Sequence, residues 1–217
     1  MAERGRGWAR AVRGLLLDVS GVLYDSGAGG GVPIAGSVEA VRRIKASGLK
    51  LQLCTNETQA TRQSFVRKLR ALGFDISVAQ VTAPAPAACH LLRERGLRPH
   101  LLVHHDLVPE FAEIDKTNPN CVVLGDAAEN FTYANLNEAF RLLIGMEKPV
   151  LLSLGKGMLV ISRLRWWGNH QKGFLSQPWQ NWEFQQSRPS DENHPEVKPD
   201  AYVNNLAEAV DIILQEL

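Results

Sequence analysis

The feature that most constrains this chain is a pair of short apolar runs, each closed by polar residues, with a stretch of helical period between them. Leu15–Val19 is apolar except for Asp18, and it reads as a buried strand that is over by Gly21. Leu49–Cys54 repeats the pattern and runs into Thr55 and Asn56. Between the two, Val38, Val41 and Ile44 recur on one helical face; Ser37 is placed to cap that helix and Gly48 to stop it. A second amphipathic helix carries Phe65, Leu69 and Leu72 and ends at Gly73. Strand, helix, strand, helix in that order demands parallel strands with helices packed outside them.

Beyond Pro84 and Pro86 the alternation restarts. It predicts a helix near Ala87–Arg95, strands at His100–Val103 and Cys121–Gly125, a helix near Ala134–Ile144 and a strand at Val150–Leu154. This is a second α/β unit. The texture changes near Gly157: Trp166, Trp167, Trp179 and Trp182 fall in a Gln- and Asn-rich stretch with neither helical nor strand period. From Arg188 there follow a polar loop, a short strand at Tyr202-Val203, and a helix capped by Asn205 with Leu206, Val210, Ile213 and Leu214 apolar.

At 217 residues, 45% apolar and 22% charged, the chain suits one domain or a core with a smaller inserted one. A net charge of +1 with no basic or acidic block argues against nucleic acid and anionic membrane as partners. No apolar run approaches the roughly 20 residues that cross a bilayer, and Leu15–Leu17 is too short for a signal peptide. Cys54, Cys89 and Cys121 lie far apart, outside any metal-ligand spacing, and read as reduced core thiols. The expected location is the cytoplasm, with the nucleus as a second compartment.

Asp18 closes the first strand, where open parallel sheets place their ligands. A carboxylate there can attack phosphorus to give an aspartyl-phosphate, with Mg²⁺ neutralising the phosphoryl oxygens. Thr55 and Asn56 close the adjacent strand and offer a hydroxyl and an amide as donors. Spacing alone carries little weight, because a strand-end Asp is more often a cap or an ion-pair partner.

The full strings are more specific. LLLDVSGVLYD (Leu15–Asp25) followed by LQLCTNET (Leu51–Thr58) resembles motifs one and two of the haloacid dehalogenase-like phosphatases. The common first motif is Asp-x-Asp; here Ser20 takes the second place, which removes the usual general acid. The resemblance runs through Gly14–Gly155 and resumes in the tail from Arg188. It implies a doubly wound α/β core with an inserted α/β cap. It makes Asp18 the nucleophile and an Mg²⁺ ligand, and Ser20 a second ligand through its carbonyl. Asp18, Val19, Ser20, Thr55 and Asn56 would contact substrate. The implied substrates are pyrophosphate and phosphoramidates such as phosphohistidine and phospholysine, and the cap would mediate a homodimer.

Two further family motifs do not appear: a lysine in V-x-G-K-P-S and a Gly-Asp-Asp string. The reading frame suggests why. Starting at each third base, Trp166-Trp167 must give Val and Trp167-Gly168 must give Gly. Gly168-Asn169 permits Lys, Glu or Gln, and the next two shifted codons permit only Pro or Ser. V-G-K-P-S is thus allowed, with its Val and Gly forced. We therefore expect Met158–Gln186 to be translated out of frame between two missing coding stretches, in a truncated variant whose core and cap are both incomplete. The expected divisions are 1–84 for the first part of the core, 85–157 for a partial cap, 158–186 for the Trp-rich segment, and 187–217 for the last strand and helix of the core.

Other strings read more plainly. Val122–Glu129 imitates the Gly-Asp-Asp motif, but is expected to be a cap strand and turn. Ser26–Gly31 lacks a dinucleotide fingerprint's third glycine and reads as a mobile flap. His104-His105-Asp106 has no further ligand at diagnostic spacing and reads as a strand end reaching solvent. Lys156 reads as part of a cap loop, and the tryptophans have too few basic neighbours for a base-stacking platform.

Overall fold

A computed structural model describes residues 12–27, 30–155 and 203–215. They fall into two compact units, and the chain passes between these at Thr55–Asn56, Phe65–Val66 and Val81–Thr82.

The first unit is built on a three-stranded sheet of β1 (Gly14–Asp18), β4 (Lys50–Cys54) and β5 (Val81–Thr82), in the order β1-β4-β5. Strands β1 and β4 are parallel, with Gly14 opposite Lys50 and Asp18 opposite Cys54. Leu51 and Leu53, two apart on β4, are both buried, as the pleat requires. A small hairpin of β2 (Tyr24–Asp25) and β3 (Val32–Pro33) follows β1 and leads into α1 (Ser37–Ala46). Helix α1 buries Ala40, Val41 and Ile44 and turns the Glu39–Arg42 pair to solvent. Full burial of a side chain such as Ile44 contributes about 1.5–3 kcal/mol.

Helix α2 (Arg62–Ala71) places Val66 and Leu69 in this unit's core, beside Phe74 and Ile76 in the turn that follows it. The last helix, α5 (Leu206–Gln215), packs on α1 through Leu206, Val210 and Ile213 and pairs Asp211 with Arg43.

The second unit contains β6 (Pro99–Leu102), β7 (Cys121–Leu124) and β8 (Leu151–Ser153), parallel and in that order. Central β7 is covered on both faces. Cys121 and Val123 face α3 (Pro84–Glu94) and the 3₁₀ turn His105–Phe111, in a core with Leu92, Leu107 and Phe111. Val122 faces the opposite way, with Leu102, Ala127 and Ala139 of α4 (Tyr133–Gly145). A strand buried on both sides has to be apolar at every position, which is why CVVL shows no alternation.

Four expectations need correction. Strand β1 is not buried: Leu16 is 69% exposed, because among the described residues β1 lies at the sheet edge and pairs with β4 alone. Ser37 does not cap α1. Gly36 holds the cap position at φ +79°, and the buried Ser37 hydroxyl donates instead to Leu23 O at 2.7 Å. Cys54 is exposed at the end of β4, whereas Cys89 and Cys121 are core thiols as expected. Helix α3 starts at Pro84 rather than Ala87, since proline's fixed φ and missing N–H cost nothing in a first turn.

Asn205 does cap α5, accepting from Glu208 N–H at 3.0 Å. Val203 belongs to no strand, and Tyr202, Lys156 and the whole of 158–186 lie outside the described residues.

Candidate active site

Parallel strands that start together also end together, so the C-terminal ends of β1 and β4 share one edge of the sheet. Asp18 is the last residue of β1 and Cys54, its register partner, the last of β4. Thr55, the next residue, is one of two buried polar side chains of the described core; the other is Ser37. Asn56 follows Thr55 in the chain, is exposed, and begins the second unit.

The loop after Asp18 is built by its own backbone. Val19 O accepts from Leu23 N–H at 2.9 Å and from Val22 N–H at 3.3 Å, which folds the chain back at once. The fold-back needs Gly21, whose φ of +79° a side chain would resist. Val19, Leu23 and Tyr24 are buried beneath it. Leu23 O then accepts both Ile34 N–H at 2.9 Å and the Ser37 hydroxyl, tying the loop to the start of α1. Lys68 of α2 lies 4.7 Å from the Tyr24 ring centroid and donates to its hydroxyl at 3.3 Å. Nothing in the sequence flagged that pair, because Tyr24 and Lys68 meet only through the tertiary fold.

Gly31 closes the hairpin at φ +99°, and a Cβ there would stand 2.6 Å from Tyr24 Cδ2 and 2.8 Å from Asp25 O. The mouth of the Ser26–Gly31 segment is thus fixed by close packing.

The Asp18 carboxyl is half-buried. Burial pushes its pKa above the usual carboxylate value, and the Val19 N–H, donating to Oδ1 at 2.8 Å, opposes that only in part. Among the described residues, no charged side chain contributes to the shift. The site is therefore an acid held partly out of water with one oxygen anchored and, among the described residues, no cation at hand. That suits a group meant to meet a cation or an electrophile. It also commits Val19 N–H, one of the expected substrate donors, to the carboxylate beside it.

Asp18 and the exposed Ser20 offer a carboxylate and a carbonyl to a hard cation. Such a donor set fits the beginning of an Mg²⁺ shell, which is commonly one or two carboxylates completed by water and substrate phosphate. Among the described residues, no cluster of three ligating side chains includes Asp18.

Of the decoys, Asp126 is structural within the second unit: it accepts from Ala128 N–H at 3.2 Å and from the Gln59 amide at 2.7 Å. This is the turn the sequence predicts after β7.

The profile described as haloacid dehalogenase-like hydrolase matches residues 15–117. The chain belongs to this family of hydrolases, and to its phosphatases.

Within it, the chain is 47% identical to the phospholysine phosphohistidine inorganic pyrophosphate phosphatase of Xenopus laevis, over 95% of this chain and 96% of that one. It is 63% identical to the protein of the same name from Danio rerio over 156 residues, 72% of this chain and 58% of that one. Among solved structures, a 4-nitrophenylphosphatase from Thermotoga maritima superposes with a TM-score of 0.62 at 22% identity, covering 94% of this chain and 98% of that one.

The Xenopus comparison extends over 260 positions, whereas 95% of 217 residues is about 206. About 54 aligned positions therefore have no residue in this chain. The 156 positions shared with the Danio protein equal 72% of 217, so that stretch aligns without such gaps.

Proposed function

We propose that this chain is an Mg²⁺-dependent phosphohydrolase acting on pyrophosphate and on the phosphoramidates of histidine and lysine, with Asp18 as its nucleophile and with turnover impaired by missing catalytic parts. The observation that carries the reading is the Asp18 carboxylate, half-buried at the end of β1 with one oxygen held by Val19 N–H and, among the described residues, no cationic side chain to neutralise it. The names of the relatives supply the substrate class.

In this reading the unanchored Asp18 oxygen attacks phosphorus in line with the bond to be broken. The P–O or P–N bond breaks, and its electron pair leaves with phosphate, imidazole or amine. Water then attacks the aspartyl-phosphate and regenerates the carboxylate. Ser20 cannot act as the general acid that an aspartate would supply there. A protonated phosphoramidate or a magnesium-bound pyrophosphate carries leaving groups that depend little on such an acid. Mg²⁺, held by Asp18 and the Ser20 carbonyl, would neutralise phosphoryl charge. Thr55 and Asn56 would donate to the phosphoryl oxygens.

The impairment rests on the sequence, which contains neither V-x-G-K-P-S nor Gly-Asp-Asp. The roughly 54 aligned positions without a counterpart support the reading that coding stretches around 158–186 are absent. Loss of a single group that stabilises the transition state typically costs about 100–1000-fold. Losing both motifs costs more, though not additively.

The test is Mg²⁺-dependent phosphate release from pyrophosphate by the purified chain beside Asp18→Asn. Release that the substitution abolishes establishes the enzyme. Equal background from both overturns it and leaves the second reading, a non-catalytic chain that associates through its second unit. One observation favours that alternative: Tyr133, Phe140 and Ile144 share one exposed face of α4. The genomic nucleotide sequence tests the frame argument, which fails if 158–186 is read through without skipped coding sequence.

A further inference from the structure

The second unit carries a cluster of ligating side chains that the phosphatase reading does not use. His104, His105 and Asp106 follow β6, and one donor atom from each lies within 4.8 Å of the other two. His105 Nε2 is 3.0 Å from Asp106 Oδ1, and His104 Nδ1 is 3.8 Å from Asp106 Oδ2. Ligand bonds of about 2.0–2.1 Å in a tetrahedral shell set donor atoms about 3.3 Å apart, a value between these two separations, which run to the two different Asp106 oxygens. The two imidazole rings stack at 4.4 Å between centroids, and His104 is largely buried, which limits the freedom of both rings.

A second observation is independent of these three neighbours in sequence. Glu129, in the 3₁₀ turn Ala128–Asn130 that follows β7, places Oε1 3.0 Å from His105 Nδ1. A metal-bound histidine almost always donates its other ring N–H to a carboxylate, which fixes the tautomer and raises the basicity of the ligating nitrogen. Glu129 stands in that relation to His105, with Nε2 directed at Asp106. The sequence alone did not suggest this, because Glu129 lies 24 residues from His105 and arrives through the pairing of β6 with β7.

We infer that His104, His105 and Asp106 form a zinc site, with Glu129 orienting His105, separate from any Mg²⁺ held by Asp18. Two imidazoles and one carboxylate select Zn²⁺ over Mg²⁺, which prefers oxygen donors. Three protein ligands leave the fourth position to water, so the site is open. Binding requires His104 Nδ1 to give up the hydrogen bond it accepts from Asp106 N–H at 3.1 Å. The net worth of one such hydrogen bond is small beside the binding of an ion by three ligands.

The experiment is calorimetric titration of Zn²⁺ into the untagged full-length chain at neutral pH, with a chelator of known affinity as competitor. The comparison is with His105→Ala, Glu129→Gln and Asp18→Asn. The expected result is one zinc per chain, lost in His105→Ala, weakened about 10–100-fold in Glu129→Gln, and unchanged in Asp18→Asn. His105 and Glu129 are exposed, so circular dichroism should show both variants folded. Absence of saturable uptake overturns the inference, as does uptake that survives His105→Ala and so belongs to His90, His100, His170, His194 or a thiol.

Discussion

At Asp18, burial works against ionisation, and so against stability wherever the carboxyl is charged. Its ionised form is held partly out of water with one N–H for compensation, so burial raises its pKa. A carboxyl with a raised folded-state pKa favours the folded state below its unfolded value, near 3.8, and that advantage is lost as pH rises through the folded value. Asp18→Asn keeps the acceptor for Val19 N–H and removes the charge. The variant should melt above the parent at pH 7.5, and the two curves should converge near pH 3.5. Equal melting temperatures at pH 7.5 would mean the carboxylate is solvated in solution.

Gly31 gives a second prediction at this scale. Alanine there meets Asp25 O and the Tyr24 ring inside contact distance at φ +99°, whereas at Gly48, with φ +78°, it meets open space. Gly48→Ala should cost about 1–2 kcal/mol from backbone conformation alone. Gly31→Ala should cost clearly more. Urea denaturation of the pair separates the clash from the φ penalty, and equal losses would show that the hairpin relaxes freely.

At the scale of elements, α5 ties the tail to the first unit, and its start is held by side chains. Asn205 accepts from Glu208 N–H, and Glu208 reaches back to Asn204 N–H at 2.8 Å and to the Asn204 amide at 2.9 Å. Asn205→Ala should destabilise the first unit by about 1 kcal/mol, the usual worth of such a cap, read as an earlier urea midpoint with an unchanged slope. An unchanged midpoint would mean that packing on α1 alone sets the helix.

Asn205 was legible in the sequence because a cap is a local signal. So were α1, α2, α4 and strands β1, β4, β6, β7 and β8, whose periods are set by apolar neighbours a few residues away; the two-residue strands β2, β3 and β5 are too short to carry such a period. Ser37 was misread because its hydroxyl found a carbonyl 14 residues back in sequence, and that preference is invisible without the hairpin. Leu16 was misread for a related reason: an apolar strand reads as buried whether or not a neighbour covers it. In the candidate site, the position of Asp18 was legible from the strand that ends on it. The commitment of Val19 N–H, the Tyr24–Lys68 pair and the Glu129–His105 contact were not, since each depends on how distant segments meet.

At the scale of the whole molecule, the open question is what becomes of β1. Among the described residues it has one strand partner and carries Leu16 in its middle, 69% exposed. A strand with one bare edge and an apolar side chain in water invites pairing with another chain. Leu16→Lys discriminates between a bare strand and a covered one. On a bare strand the substitution removes little packing and should change stability by no more than about 0.5 kcal/mol. The added charge should move concentration-dependent association, followed by sedimentation velocity, to higher protein concentration. If Leu16 is covered in solution, by another part of this chain or by a second copy, the lysine must displace that cover. A stability loss of about 2 kcal/mol or more would then reveal it. Unaltered association together with unaltered stability would place the sticky surface elsewhere, and the exposed face of α4 would be the next to receive a charge.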